Sequence, residues 1–65
     1  MMIINGKEMD LPEGITIVEL LEKLHLHKDR VVVEVNYEIV AKEQYTETIL
    51  NGGDQVEIVS FVGGG

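Results

Sequence analysis

The residues with chemical potential in this chain are few, and most of them lie in its last stretch, Phe61-Val62-Gly63-Gly64-Gly65. Three successive glycines bring no side chain and no fixed φ, so they neither pack nor catalyse. They offer a thin peptide reaching about 10–11 Å past Val62 when extended, narrow enough for a channel that any Cβ would block. Its reactive group is the α-carboxylate of Gly65, ionised at neutral pH and inert until an external group activates it. The glycines follow directly on the apolar run Val56-Glu57-Ile58-Val59-Ser60-Phe61-Val62, with no polar spacer between. This tail reads as a substrate for another protein.

Other chemistry is hard to assemble. Cysteine is absent, which removes disulfides, thiolate nucleophiles, zinc-thiolate sites and persulfide carriage. Sulfur chemistry, if present, must use the terminus. His25 and His27 are two apart with no converging carboxylate, a poor metal site and a natural solvated helix end. Tyr37 and Tyr45 read as packing residues, and Asp29 with Arg30 as a local surface pair of little energetic weight. No Ser-His-Asp arrangement and no nucleotide-binding loop can be built from these residues, so no catalytic residue, metal or bound cofactor is expected.

Composition narrows the partners. Twelve acidic against five basic residues give a net charge of −7 at pH 7, which repels nucleic acid and anionic membranes and favours a partner with a basic docking face. No apolar run approaches a membrane span and no leader precedes the first strand, so a cytoplasmic protein is expected. Sixty-five residues make one domain.

The elements that must position the tail follow from pattern. Met2-Ile3-Ile4, the turn Asn5-Gly6 and Lys7 to Leu11 form an opening β-hairpin. After Pro12-Glu13-Gly14, Thr16 and Glu19 form a capping box, with Ile15 and Leu20 as a hydrophobic staple. Ile17, Leu20, Leu21 and Leu24 then make one apolar stripe on a short helix ending near His25. Val31 to Val35 reads as a strand partly covered on both faces, because its β-branched residues are so dense. Asn36-Tyr37-Glu38 turns the chain, Ile39 to Ala41 returns as a short strand, and Lys42 to Thr48 is a connector anchored by Tyr45. Asn51-Gly52-Gly53-Asp54 is a tight turn before the last strand, Gln55 to Phe61.

This order implies an α+β fold of the β-grasp (ubiquitin-like) type: a mixed sheet of four to five strands with one main helix on one face. Residues 1–62 form the domain and 63–65 a flexible glycine tail. The expected core contains Met2, Ile4, Leu20, Leu24, Val33, Val56 and Ile58. Strand parity sends Ile3, Val32, Val59 and Phe61 to the opposite face, where with Val62 they are expected to form an apolar partner patch near the tail.

The pattern, the stretch Asn51-Gly52-Gly53-Asp54-Gln55-Val56-Glu57-Ile58 and the closing glycines together resemble the ubiquitin-like sulfur-carrier proteins, and most of all the sulfur-carrier family of thiamin (thiazole) biosynthesis. The likeness extends through Ile4 to Lys7, Thr16 to Leu21, Val35 to Val40, Lys42 to Tyr45 and Phe61 to Gly65. It implies that an ATP-dependent adenylating enzyme activates the Gly65 carboxylate as an acyl-adenylate. Sulfur from a donor such as a cysteine desulfurase then displaces AMP, and the thiocarboxylate serves thiazole synthase in making thiazole phosphate. The chain itself is then a protein co-substrate and not an enzyme. The family pattern needs a terminal Gly-Gly, whereas this chain shows three glycines, so trimming of Gly65 would move the chemistry to Gly64. The alternatives are carriage for another client, as in the small subunit of molybdopterin synthase, a ubiquitin-like modifier, and a plain β-grasp binding module that ignores the tail.

Overall fold

The computed structural model describes residues 1–61. Among them are five strands in one sheet, β1 (Met2–Ile4), β2 (Lys7–Met9), β3 (Val31–Val35), β4 (Glu38–Ile39) and β5 (Gln55–Ser60), and one α-helix, α1 (Ile17–Lys23). The strand order is β2-β1-β5-β3-β4. β5 is central, parallel to β1 and antiparallel to β3, and the two hairpins flank it. This is the expected β-grasp arrangement.

The first hairpin turns on Asn5 (φ 52°) and Gly6 (φ 81°), the paired positive φ values whose twist matches the flanking strands. β2 stops at Met9 and not at Leu11, because Met9 already pairs with Met2 and the three residues of β1 give Asp10 and Leu11 nothing to pair with. α1 begins as its sequence dictates. The Thr16 hydroxyl accepts the Glu19 N–H at 3.1 Å and the Glu19 carboxylate accepts the Thr16 N–H at 2.8 Å, closing the capping box.

The helix ends two residues earlier than its apolar stripe suggests. The His25 N–H donates to the Glu22 carbonyl at 3.1 Å and the Leu26 N–H to the Leu21 carbonyl at 2.9 Å, with His25 at φ 59°. That is a Schellman cap, in which the residue after the C-cap takes the left-handed conformation. Glycine usually occupies that position. Here histidine does, so the stop is not visible by the ordinary signal.

Met2, Ile4, Leu20, Val33, Val56 and Ile58 are buried as expected, while Leu24 is only partly buried and packs against the rim of the core. Ile15, Ile17, Leu21, Val31, Tyr45 and Leu50 complete the core. Tyr45 and Leu50 fasten the long connector beneath α1, helped by bonds from the Val18 N–H to the Tyr45 carbonyl (3.2 Å) and from the Leu50 N–H to the Ile15 carbonyl (2.8 Å). The expectation that β3 is partly covered on both faces is corrected, while its parity is as expected: Val31 and Val33 are buried and Val32 is exposed on the outward face. One helix covers one face of the sheet, and among the described residues nothing lies over the other. No helix among them is long and apolar enough to cross a membrane.

Candidate functional site

The open face of the sheet and the exit of β5 form the candidate site. β5 is held along both edges. On one side Val31 to Val35 pair with Ser60 to Val56 in antiparallel register. On the other, β1 contributes only two pairs, Ile3 with Gln55 and Ile4 with Val56, before the chain turns away at Asn5.

The Asn5 carboxamide then stands in for the missing peptide. Its Oδ1 accepts the Ile58 N–H at 2.7 Å and its Nδ2 donates to the Ile58 carbonyl at 3.2 Å. This extends the support of β5 by two residues toward its exit, where the Phe61 N–H donates to the Arg30 carbonyl at 3.0 Å. The start of β5 is tied as firmly. The Asn36 side chain accepts the Gln55 N–H at 3.0 Å and donates to Asp54 Oδ1 at 3.2 Å, while the Tyr37 hydroxyl donates to Gln55 Oε1 at 2.7 Å. β5 is thus a fixed rod aimed out of the domain.

On the open face, Val32 lies directly across from Val59, with Phe61 beyond; Val59 and Phe61 are 59% and 50% exposed. Ile3 does not join them. It is half-buried and pairs with Gln55, about 13 Å along the strand from Val59 at ~3.3 Å per residue. Parallel pairing of β1 to the start of β5 makes that separation unavoidable. Between the two lies a feature the sequence reading missed: Glu34 and Glu57 are direct cross-strand partners. Like charges so placed destabilise a sheet. The signal was available, since Glu34 follows Val32 by two positions and Glu57 precedes Val59 by two, on one face. The remaining named residues, Val62, Gly63, Gly64 and Gly65, lie outside the described residues, as do the boundary at residue 62 and the flexibility expected of the tail.

The residues set aside earlier fall as follows. His27 Nδ1 accepts the Asp29 N–H at 3.1 Å, capping a 3₁₀ turn at Lys28–Arg30, with Asp29 Oδ2 3.6 Å from the same nitrogen. Asp29 does not pair with Arg30. It bonds Lys42 Nζ at 3.0 Å, and this hydrogen bond, chiefly, holds its carboxyl below the ordinary value of 3.8. Tyr45 is buried, as a packing residue should be, but Tyr37 is exposed on its turn at φ 72° and serves through its hydroxyl. Among the described residues no group of three or more histidine, cysteine, aspartate or glutamate side chains converges on a metal position.

Comparison with known proteins agrees with this architecture. The ThiS family model matches residues 2–65. The sulfur carrier protein ThiS of Bacillus subtilis (strain 168) is 44% identical over 66 residues, spanning 100% of both chains. A thiazole synthase of Paramagnetospirillum magneticum is 42% identical over 64 residues, covering 98% of this chain but only 20% of that protein, so the chain spans about a fifth of that larger relative. Among solved structures, the thiamine biosynthesis protein (ThiS) from Geobacter metallireducens superposes with a TM-score of 0.79 at 36% identity, over 98% of this chain and 97% of that one. A β-grasp sheet with a bare outer face and a rigid last strand leading to glycines, matched end to end by these relatives, places the chain in the ThiS family of sulfur carrier proteins.

Proposed function

We infer that the chain carries sulfur on the α-carboxylate of Gly65. An adenylating enzyme binds the outer face and takes up the glycine run. The carboxylate oxygen attacks the α-phosphorus of ATP and pyrophosphate leaves. The terminal sulfur of a persulfide, supplied by a donor of the cysteine desulfurase class, then attacks the acyl carbon and AMP leaves; a second thiol attacks the donor-side sulfur of the resulting acyl disulfide, so that a donor disulfide forms and the thiocarboxylate is released. Adenylation replaces a poor leaving group with a good one, AMP, and the sulfur step then spends that activation, which is why ATP is consumed by the partner and no cofactor resides on the carrier.

The observation that carries this reading is the full-length match to sulfur carriers, joined to a chain without cysteine. Sulfur has no other ordinary attachment point. Thiazole synthase as recipient is supported by the two thiazole synthases that contain a stretch similar to this chain. On the carrier's side the contributions are physical. Val32, Val59 and Phe61 offer apolar area, and Glu34 with Glu57 offers a paired negative charge that a lysine or arginine of the enzyme would relieve.

The test is ATP–pyrophosphate exchange by the adenylating enzyme. The intact chain should drive exchange, and a chain lacking Gly64 and Gly65 should not, since it falls about 7 Å short at ~3.5 Å per residue. Equal exchange by both would favour the binding-module reading, in which the tail is idle.

A further inference from the structure

Charge in this chain is segregated. Four of its five lysines and arginines, and both histidines, lie between residues 23 and 42 of a protein whose net charge is −7. The fold gathers three of these side chains, His25, His27 and Arg30, around one open hollow of about 290 Å³ whose far wall is Ser60 and Phe61. None of the described residues lining it is a carboxylate. Asp29, next to Arg30 in the chain, bonds Lys42 at 3.0 Å and stands 3.6 Å from His27 Nδ1, and Arg30 has no ion-pair partner among the described residues. A hollow with one formal cation, Arg30, and two imidazoles therefore sits beside Phe61, on an otherwise acidic molecule.

A second observation is independent of charge. His25 occupies the left-handed position of the Schellman cap at φ 59°, where glycine would be relaxed and a side chain is strained. Nothing local compensates: among the described residues the His25 side chain makes no hydrogen bond, and it is exposed. A local rule broken without local compensation marks a position whose side chain serves something outside the domain.

We propose that this hollow receives a carboxylate-bearing segment of the adenylating enzyme, with the Arg30 guanidinium as the principal contact and the imidazoles of His25 and His27 beside it. This rests on the functional reading above and names the chemistry of the partner. The Arg30 carbonyl already holds the Phe61 N–H, so the hollow lies beside the last described residue of the segment that leads to the tail. A planar guanidinium fork matches a carboxylate bidentately. With Glu34 and Glu57 on the outer face and Arg30 beside Phe61, the footprint carries both signs in a fixed order. Such an order sets the orientation of docking, so that the tail enters the channel and not some other groove.

The test is titration calorimetry of the carrier into the adenylating enzyme at low and high salt, using wild type, Arg30→Glu, Arg30→Lys and His25→Gly, with thermal melts of each carrier. Arg30→Glu should weaken docking by about tenfold or more and flatten its salt dependence, with partial recovery in Arg30→Lys. His25→Gly should dock more weakly yet melt higher, a divergence that a purely structural role would not give. Wild-type affinity in a folded Arg30→Glu carrier overturns the proposal, as does a His25→Gly carrier that docks like wild type. Loss of binding to thiazole synthase alone overturns the choice of partner. If wild type drives pyrophosphate exchange while Arg30→Glu docks normally, this inference fails by itself; if wild type drives none, the functional reading fails with it.

Discussion

At the scale of single residues, Asn5 does more than shape a turn. Its positive φ suits asparagine, and its carboxamide replaces a strand peptide against Ile58 at 2.7 and 3.2 Å. Asn5→Ala loses both bonds and replaces a residue type that tolerates the left-handed region with one that does not, so it should cost about 2–3 kcal/mol in denaturant unfolding. Asn5→Gly keeps the backbone freedom and should cost about 1 kcal/mol less than alanine. A loss below about 0.5 kcal/mol in Asn5→Ala would show that the carboxamide does not support β5. Asp29 makes a second case, with a defined sign. Its carboxyl is depressed in the folded chain by Lys42, so the stabilisation it brings is present above the ordinary aspartate value and disappears as pH falls through the lower folded value. Lys42→Ala should move the Asp29 titration upward in an NMR pH series. An unmoved titration would contradict the assigned cause.

At the scale of elements, the local signals that worked are those with a mechanism in a few adjacent residues. The Thr16 and Glu19 capping box and the Asn5-Gly6 turn were legible because each satisfies backbone groups within its own span. Thr16→Ala should therefore cost about 1 kcal/mol in thermal or denaturant unfolding, and no measurable loss would mean the helix start is set by packing alone. What was illegible depended on neighbours distant in sequence. The helix stop at Lys23 was hidden because histidine fills a glycine position. In β3 the density of β-branched residues suggested cover on both faces while parity sent Val32 outward, and the single covering helix decides for parity. Ile3 was placed in the patch by parity, which is right about the face. Parity says nothing about position along the sheet, which the pairing of Ile3 with Gln55 fixes.

At the scale of the whole molecule, the sheet works as a holder for β5. Two hairpins clamp the strand from either side, α1 fills the face behind it, and the opposite face is left bare with Val32, Val59 and Phe61 near the exit. The candidate site was legible in the sequence as residues but not as an arrangement: the cross-strand pair Glu34 and Glu57 and the hollow at Arg30 exist only once β3 lies beside β5. The central claim is that sulfur travels on the terminal carboxylate. Intact and fragment mass spectrometry of the carrier, after reaction with the adenylating enzyme, ATP and a sulfur donor, tests it most directly. The account predicts one oxygen-for-sulfur exchange, confined to the Gly65 fragment and absent when ATP is omitted. Sulfur on any internal residue, or no exchange on an intact tail under conditions where the enzyme turns over ATP, would contradict it.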